Sequence, residues 1–154
     1  MERVIENESA MLGFAAELAS VVKAGQLVML EGELGAGKTF LAAALAYALG
    51  VPESVAVASP TFALMHEYPE GSPPLLHADL YRLGSEDELD DVGILDEPEG
   101  WLRIVEWGER FVGRLGNPDL LVRIAFAEDD AEGEGRTLSL EGSLASSLAS
   151  RPRL

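Results

Sequence analysis

The first third of the chain alternates between helical and strand-like patterns of apolar residues. Residues 9–22 carry apolar side chains three and four positions apart, which predicts an amphipathic helix capped by Ser9. Residues 27–30 form a continuous apolar run, as expected for a strand buried on both faces. Residues 40–49 are mostly alanine and leucine, so we predict a helix covered nearly all round, by the rest of the fold or by a partner.

The residue pattern in the remainder of the chain predicts short strands and few helices. A serine followed three residues later by glutamate, Ser85 and Glu88, predicts the start of a short helix. Residues 128–135 have the composition of an exposed hairpin loop. Strands interleaved with helices favour an α/β fold with a sheet that is parallel in its centre and antiparallel near its edges. The predicted strands are residues 55–58, 63–68, 75–80, 102–107, 120–126 and 136–140, and a closing helix is predicted at 143–150.

Composition narrows the possible functions. The 154 residues suit a single domain over 1–154, and the absence of cysteine excludes disulfides, thiolate metal sites and thiol nucleophiles. Eleven basic and 27 acidic residues give a net charge of −16, which argues against direct binding to DNA or RNA. Eight of the carboxylates lie within residues 85–100, which indicates either a solvated surface or an electrostatic surface for a partner.

No part of the sequence predicts contact with a membrane. The longest nearly apolar stretch, residues 40–51, is shorter than the roughly 20 residues that a membrane span needs. The amino terminus is mixed and acidic, unlike a signal peptide. We therefore expect a cytoplasmic protein with no membrane partner.

A glycine-rich segment between the first predicted strand and the second helix matches the phosphate-binding pattern G-x-x-x-x-G-K-S/T. Glycines let backbone amides close around a β-phosphate, and the following helix adds its positive amino-terminal dipole. The lysine would contact the β- and γ-phosphates, and the threonine hydroxyl would ligate Mg²⁺. The candidate nucleotide-binding residues are Glu33, Leu34, Gly35, Ala36, Gly37, Lys38 and Thr39, preceded by Gly32.

Hydrolysis also needs a carboxylate near the metal and a group that holds the attacking water. Asp79 and Glu106 each end a predicted strand, where ligands bind in open α/β sheets. Thr61 follows Ser59-Pro60 in a loop and could sense Mg²⁺ or the γ-phosphate. We therefore predict Asp79, Glu106 and Thr61 as catalytic residues, and Thr39 and Glu106 as metal ligands. His77 is expected to support a neighbour by hydrogen bonding, and Trp107 fits either the core or a ligand contact.

These segments together resemble the TsaE family, the small ATPases of the bacterial system that makes threonylcarbamoyladenosine in tRNA. The resemblance covers roughly residues 9–126. The phosphate loop is generic, whereas His-x-Asp-Leu-Tyr-Arg followed by Glu-Trp is specific to the family. The matching segments are Gly32 to Thr39, Ser59-Pro60-Thr61, His77-Ala78-Asp79-Leu80-Tyr81-Arg82-Leu83 and Glu106-Trp107.

The resemblance implies a P-loop NTPase-type three-layer sandwich and weak ATPase activity with ATP and Mg²⁺. It implies partners, TsaD and TsaB, through which the protein would reach tRNA. It puts Lys38 and Thr39 on ATP and Mg²⁺ and Thr61 in a switch-like loop. It puts Asp79 near the metal and water, and it makes Glu106 a metal-linked or catalytic carboxylate, without deciding how these two divide the roles.

Three other interpretations start from the same loop. A small-molecule or nucleotide kinase would need several arginines around the transferred phosphoryl group, and the nine arginines here are dispersed. A GTPase would need Asn-Lys-x-Asp, whereas the chain reads Asn117-Pro118-Asp119. A non-catalytic nucleotide-binding adaptor stays open, because neither carboxylate role follows from the sequence alone.

Overall fold

The computed structural model describes residues 1–60, 64–95, 99–128, 130 and 132–149. Within these residues the chain forms a seven-stranded sheet and five α-helices. The strands are β1 (Glu2–Ile5), β2 (Leu27–Gly32), β3 (Met65–Tyr68), β4 (Leu75–Asp79), β5 (Leu102–Glu106), β6 (Leu120–Phe126) and β7 (Arg136–Glu141). The helices are α1 (Glu8–Ala19), α2 (Lys38–Ala48), α3 (Glu86–Val92), α4 (Val112–Leu115) and α5 (Ser143–Ala149), with a 3-10 helix at Glu109–Phe111.

The sheet is parallel in its centre and antiparallel at both edges, as predicted. Its strand order is β1-β7-β6-β2-β5-β4-β3. β2 runs parallel to β5 and β6, and β4 runs parallel to β5. The pairs β1–β7, β6–β7 and β3–β4 are antiparallel. Carboxyl ends of β2, β4 and β5 therefore meet at one edge of the sheet.

Helices cover both faces of the sheet, so the fold has the three layers that were predicted. Alternate residues of β2 point to opposite sides, as strand geometry requires. Val28 and Leu30 belong to a core cluster that includes buried residues of α1, α2 and α5. Leu27 and Met29 belong to a second cluster, which includes Leu89 of α3 and residues next to it in space.

The predicted α1 and α2 are present, but α1 spans Glu8–Ala19 rather than 9–22 and α2 spans Lys38–Ala48 rather than 40–49. The cap of α1 is Asn7 rather than Ser9, because the Asn7 side chain accepts a hydrogen bond from the Ala10 amide at 2.9 Å. The helix therefore begins at Glu8. α2 is covered as its sequence predicts: of its residues only Ala48 is exposed, so elements of this chain cover it.

Three strand predictions need correction. Residues 55–58 form no strand, because the Tyr47 hydroxyl donates to the Val55 carbonyl at 2.8 Å and accepts from the Val57 amide at 3.1 Å, which holds this segment against α2. The strand predicted at 102–107 ends at Glu106, since Trp107 has a left-handed φ of 59°. The structure also contains one strand that the sequence did not predict, β1. The strand predicted at 63–68 spans Met65–Tyr68, and residue 63 lies outside the described residues.

The other predicted elements are confirmed, with small differences at their ends. β6 has its predicted bounds, and β7 extends one residue further than expected. Ser85 caps α3 by accepting from the Glu88 amide at 3.4 Å. Along the described residues no helix is long and apolar enough to cross a membrane.

Candidate functional site

The glycine-rich loop connects the end of β2 to the start of α2 and needs its glycines for backbone reasons. Gly35 and Gly37 have left-handed φ angles of 81° and 114°, which residues with side chains rarely adopt. A Cβ on Gly32 would lie 2.6 Å from the Ile124 carbonyl oxygen on the neighbouring strand β6. The loop can therefore pass close to β6 only with glycine at position 32.

The Lys38 side chain folds back over this loop. Its Nζ donates to the carbonyl oxygens of Gly32 at 2.5 Å and Glu33 at 2.9 Å. The same Nζ lies 4.4 Å from the centre of the Trp107 ring, a distance at which a cation is attracted to the ring face. Only 5% of Lys38 is exposed, so its ammonium group is held by the loop and the ring rather than by solvent.

Burial and charge act in opposite directions on Lys38. Burial lowers the pKa of Lys38 below its ordinary value, and the carboxylates of Glu106, Glu109 and Asp79 oppose that shift. Burial likewise raises the pKa of Glu109. The site thus holds a desolvated cation with acidic groups around it.

Glu106 is the most deeply buried carboxylate of the site, with 2% of its surface exposed. Its place is set by the sheet, because Glu106 on β5 pairs with Leu30 on β2 just before the loop. The Thr39 hydroxyl donates to Glu106, at 2.9 Å from Oε1 and 3.2 Å from Oε2. His77 Nε2 lies 2.5 Å from Glu106 Oε2, and Nδ1 of the same ring has no hydrogen-bond partner among the described residues.

Asp79 lies beside Glu106 because the two residues are paired across the parallel strands β4 and β5. The Ser59 hydroxyl donates to Asp79 Oδ2 at 2.9 Å, and the Tyr81 amide donates to Oδ1 at 3.0 Å. Ser59 thereby links the segment before Thr61 to the site. Thr61 itself lies outside the described residues, so its predicted role stays a prediction.

These groups line one cavity of about 270 Å³ at the carboxyl edge of the sheet. It brings together most of the predicted site residues, and adds Ser59, Phe40 and Trp107. Of the predicted residues that the structure describes, two do not line it: Glu33 contributes its carbonyl to Lys38, and Ala36 is fully buried and lines the cavity on the other side of the loop. The predicted residues that do line it are Leu34, Gly35, Gly37, Lys38, Thr39, Asp79 and Glu106.

A second cavity, of about 180 Å³, lies on the other side of the loop. It shares Gly35, Gly37 and Phe40 with the first cavity, and Arg136 of β7 is part of its wall. The sequence does not predict this cavity, because its wall residues other than Gly35, Ala36 and Gly37 come from segments with no motif. The further lining residues are Ile5, Asn7, Glu8, Met11, Ala36 and Glu134.

The oxygen atoms of Thr39 and Glu106 are of the kind that Mg²⁺ prefers, and they lie within hydrogen-bond distance of each other. Within the described part of the chain no group of three or more His, Cys, Asp or Glu side chains forms a metal site. The donors present therefore fit an ion that takes part of its coordination from phosphate and water, as Mg²⁺ does.

The fold and this site define an α/β protein with a glycine-rich loop of the G-x-x-x-x-G-K-S/T pattern between a central parallel strand and the next helix. The family model described as "Threonylcarbamoyl adenosine biosynthesis protein TsaE" matches residues 5–138. The chain belongs to the TsaE family, which takes part in the biosynthesis of threonylcarbamoyladenosine in tRNA.

Relatives of this chain carry the name "tRNA threonylcarbamoyladenosine biosynthesis protein TsaE". The one from Streptomyces coelicolor is 43% identical over 81% of this chain and 85% of its own length. The one from Bacillus subtilis is 39% identical over 73% of this chain and 69% of its own length. Among solved structures, Bacillus subtilis YdiB superposes with a TM-score of 0.75 at 27% identity, over 97% of this chain and 93% of that one.

Proposed function

We propose that this chain binds ATP with Mg²⁺ in the cavity beside the glycine-rich loop and hydrolyses it to ADP and phosphate. One observation supports this most strongly. Lys38, Thr39, Asp79 and Glu106, which come from three different elements, line a single cavity next to a loop of the phosphate-binding pattern. Membership in the TsaE family is consistent with this role.

Each side chain has a task that its surroundings suit. The loop amides of residues 33–38 and the amino terminus of α2 favour an anion, and Lys38 adds a cation that the cavity shields from water. Thr39 and Glu106 would hold Mg²⁺, whose charge would stabilise the negative charge of the phosphates.

In this proposal Asp79 orients the attacking water. Its carboxylate is held at Oδ1 by the Tyr81 amide and at Oδ2 by the Ser59 hydroxyl, so its lone pairs have fixed directions. The water oxygen bonds to the γ-phosphorus, the bond to the bridging oxygen breaks, and the electron pair leaves with ADP. The two water protons go to phosphate and solvent, so the protein ends the reaction unchanged.

We also propose that the protein acts with TsaD and TsaB and reaches tRNA through them. In this cycle ATP binding fixes the loop around Thr61 and creates a surface that docks on the partners, and hydrolysis releases the complex for another turnover. The net charge of −16 supports indirect contact, because a strongly acidic protein is repelled by the phosphates of tRNA.

The test replaces Lys38, with the chain's other lysine as a matched control. We expect Lys38→Ala to weaken ATP binding at least about 100-fold, because it removes a shielded cation from the phosphates, and to abolish phosphate release. Lys23→Ala should bind and hydrolyse ATP like the wild type, since Lys23 is exposed in the turn before β2. Calorimetry with ATP and a phosphate-release assay measure both variants.

The same variants separate the proposed cycle from its alternatives. With TsaB, TsaD and tRNA, wild type and Lys23→Ala should support repeated tRNA modification, and Lys38→Ala should not. Unchanged turnover by Lys38→Ala would overturn the ATPase assignment. Transfer of labelled phosphate to a small molecule, in place of release as inorganic phosphate, would instead show a kinase.

A further inference from the structure

Arg136, at the start of β7, connects the glycine-rich loop to the turn between β6 and β7, which lies at the same end of the sheet. Its Nε donates to the Ala36 carbonyl oxygen at 2.8 Å. Its Nη1 donates to the carbonyl oxygens of Gly133 at 2.8 Å and Gly135 at 2.9 Å. The guanidinium carbon also lies 4.4 Å from the centre of the Phe126 ring. The side chain is thus held at three backbone oxygens and one aromatic face.

We infer that Arg136 is a positioning residue that sets the direction of the Gly37 amide in the glycine-rich loop. The Ala36 carbonyl and the Gly37 N–H belong to one planar trans peptide unit and point in opposite directions. A carbonyl held toward Arg136 therefore turns the Gly37 N–H away from Arg136. Gly37 lines the cavity that also contains Lys38 and Thr39, where that N–H can serve an anion.

The peptide unit between Ala36 and Gly37 needs a fixed hydrogen-bond partner because the glycines around it give the backbone unusual conformational freedom. Glycine loses more conformational freedom on ordering than any other residue, and Gly35 and Gly37 flank Ala36. Ala36 is fully buried, and its amide is bonded within the loop, where it donates to the Glu33 carbonyl at 3.0 Å. Its carbonyl is bonded instead from outside the loop, by Arg136. Arg136 supplies that contact with a charged donor, which binds a carbonyl more strongly than a neutral one does.

The turn between β6 and β7, whose carbonyls bind Arg136, is held by hydrogen bonds of its own. Asp130 accepts hydrogen bonds from the Gly135 amide and, at 3.2 Å, from the Glu132 amide. The Gly133 amide donates to the Asp130 carbonyl at 3.3 Å. Asp130 therefore closes the turn whose carbonyls bind Arg136, and the guanidinium is fixed before it reaches the loop.

The test compares three variants and uses two ligands. Arg136→Met removes the donors and keeps much of the length, and Arg136→Lys keeps the charge without the planar fork. Arg123→Met is the matched control, because Arg123 lies on the neighbouring strand and binds the exposed carboxylate of Glu141 and that of Glu31 rather than the loop. The ligands are ATP and inorganic tripolyphosphate, which has no base or ribose. Thermal unfolding without ligand checks that every variant is folded.

The expected changes in Kd rest on the proposed nucleotide binding, whereas the expected change at the Gly37 amide of the ligand-free protein does not. We expect Arg136→Met to raise the Kd for both ATP and tripolyphosphate about tenfold. Arg136→Lys should fall between it and the wild type, and Arg123→Met should stay within about twofold of wild type. In ligand-free protein, the ¹⁵N order parameter of the Gly37 amide should fall in Arg136→Met and not in Arg123→Met.

Two results would overturn the positioning role. One is tripolyphosphate binding by Arg136→Met at wild-type strength, which would confine Arg136 to contacts with the base or ribose. The other is an unchanged order parameter at Gly37. If wild type bound neither ligand, the proposed function would be overturned instead, and the Gly37 measurement in ligand-free protein would decide on Arg136 by itself.

Discussion

Lys38 and Glu106 are both buried, and each charged group is stabilised by hydrogen bonds to its own set of neighbours. Lys38 uses the Gly32 and Glu33 carbonyls, and Glu106 uses the Thr39 hydroxyl and His77. A buried charge is costly unless it is paired or hydrogen-bonded, so neither group can lose its partners without replacement. A phosphate beside Lys38 and a metal ion beside Glu106 are replacements of the right sign.

We predict that Glu106→Gln separates binding from hydrolysis. The amide oxygen of glutamine can still accept from Thr39, so ATP binding without Mg²⁺ should stay within about threefold of wild type. Phosphate release should fall at least about 100-fold, because the charge that holds the metal is gone. Equilibrium binding without Mg²⁺ and steady-state phosphate release measure the two effects.

The control for this prediction is Glu67→Gln, since Glu67 is exposed on the edge strand β3, away from the cavity. It should behave like wild type in both assays. Hydrolysis by Glu106→Gln at close to the wild-type rate would show that the Glu106 carboxylate takes no part in catalysis, whereas no phosphate release by the wild type itself would favour the non-catalytic adaptor.

Among the helices, α1 contains a glycine that the structure does not require. Gly13 is exposed in the middle of α1, and a Cβ added there would meet no atom within 4 Å. We predict that Gly13→Ala raises the free energy of unfolding by about 0.5–1 kcal/mol, because alanine restricts the unfolded chain and favours the helix. Urea unfolding followed by circular dichroism measures it.

The reverse change in the same helix provides the comparison. Ala16 is also exposed in α1, so Ala16→Gly should lower the free energy of unfolding by a similar amount. A loss of stability in Gly13→Ala would contradict this prediction and would mean that a methyl group at position 13 is not accommodated in the open space around it.

Elements with a strong apolar period could be predicted from the sequence, and those held by single side chains could not. β2 and α2 follow from uninterrupted apolar runs, and the loop between them follows from its glycines and Lys38. β1 is only four residues long, with one buried side chain, and it forms because β7 is there to pair with it. Residues 55–58 have strand-like composition, but the Tyr47 hydroxyl takes their backbone groups.

The residues of the candidate site likewise fall into those that a sequence pattern predicts and those that depend on a single side-chain contact. Asp79 and Glu106 could be predicted because each ends an apolar strand, and the sheet brings them side by side. Arg136 could not, because its role depends on a backbone carbonyl 100 positions away that no sequence pattern marks.

At the scale of the whole molecule, the net charge of −16 governs what the protein can approach unaided. We predict that the isolated protein does not bind tRNA at physiological salt, with a Kd weaker than about 100 µM, because it would have to bring its acidic surface against the phosphates. Fluorescence anisotropy with labelled tRNA, with and without ATP, measures this.

Salt provides the second check on that prediction. Proteins that hold RNA through basic contacts bind more tightly as salt is lowered. Here lowering the salt should not produce binding, because repulsion grows as screening falls. Tight, salt-sensitive binding by the isolated protein would show a basic RNA-binding surface and contradict contact through partners alone.

The pairing of β1 with β7 also sets an order of assembly during synthesis. Ile5 pairs with Arg136, so β1 has no partner strand until β7 has been translated, while β2, α2 and β5 can already associate. The loop with Lys38 therefore exists on the growing chain before Arg136 is translated, and its Ala36 carbonyl is tied down only afterwards. A nascent chain would therefore carry the proposed ligand-binding groups early and gain their full alignment only after β7 has been translated.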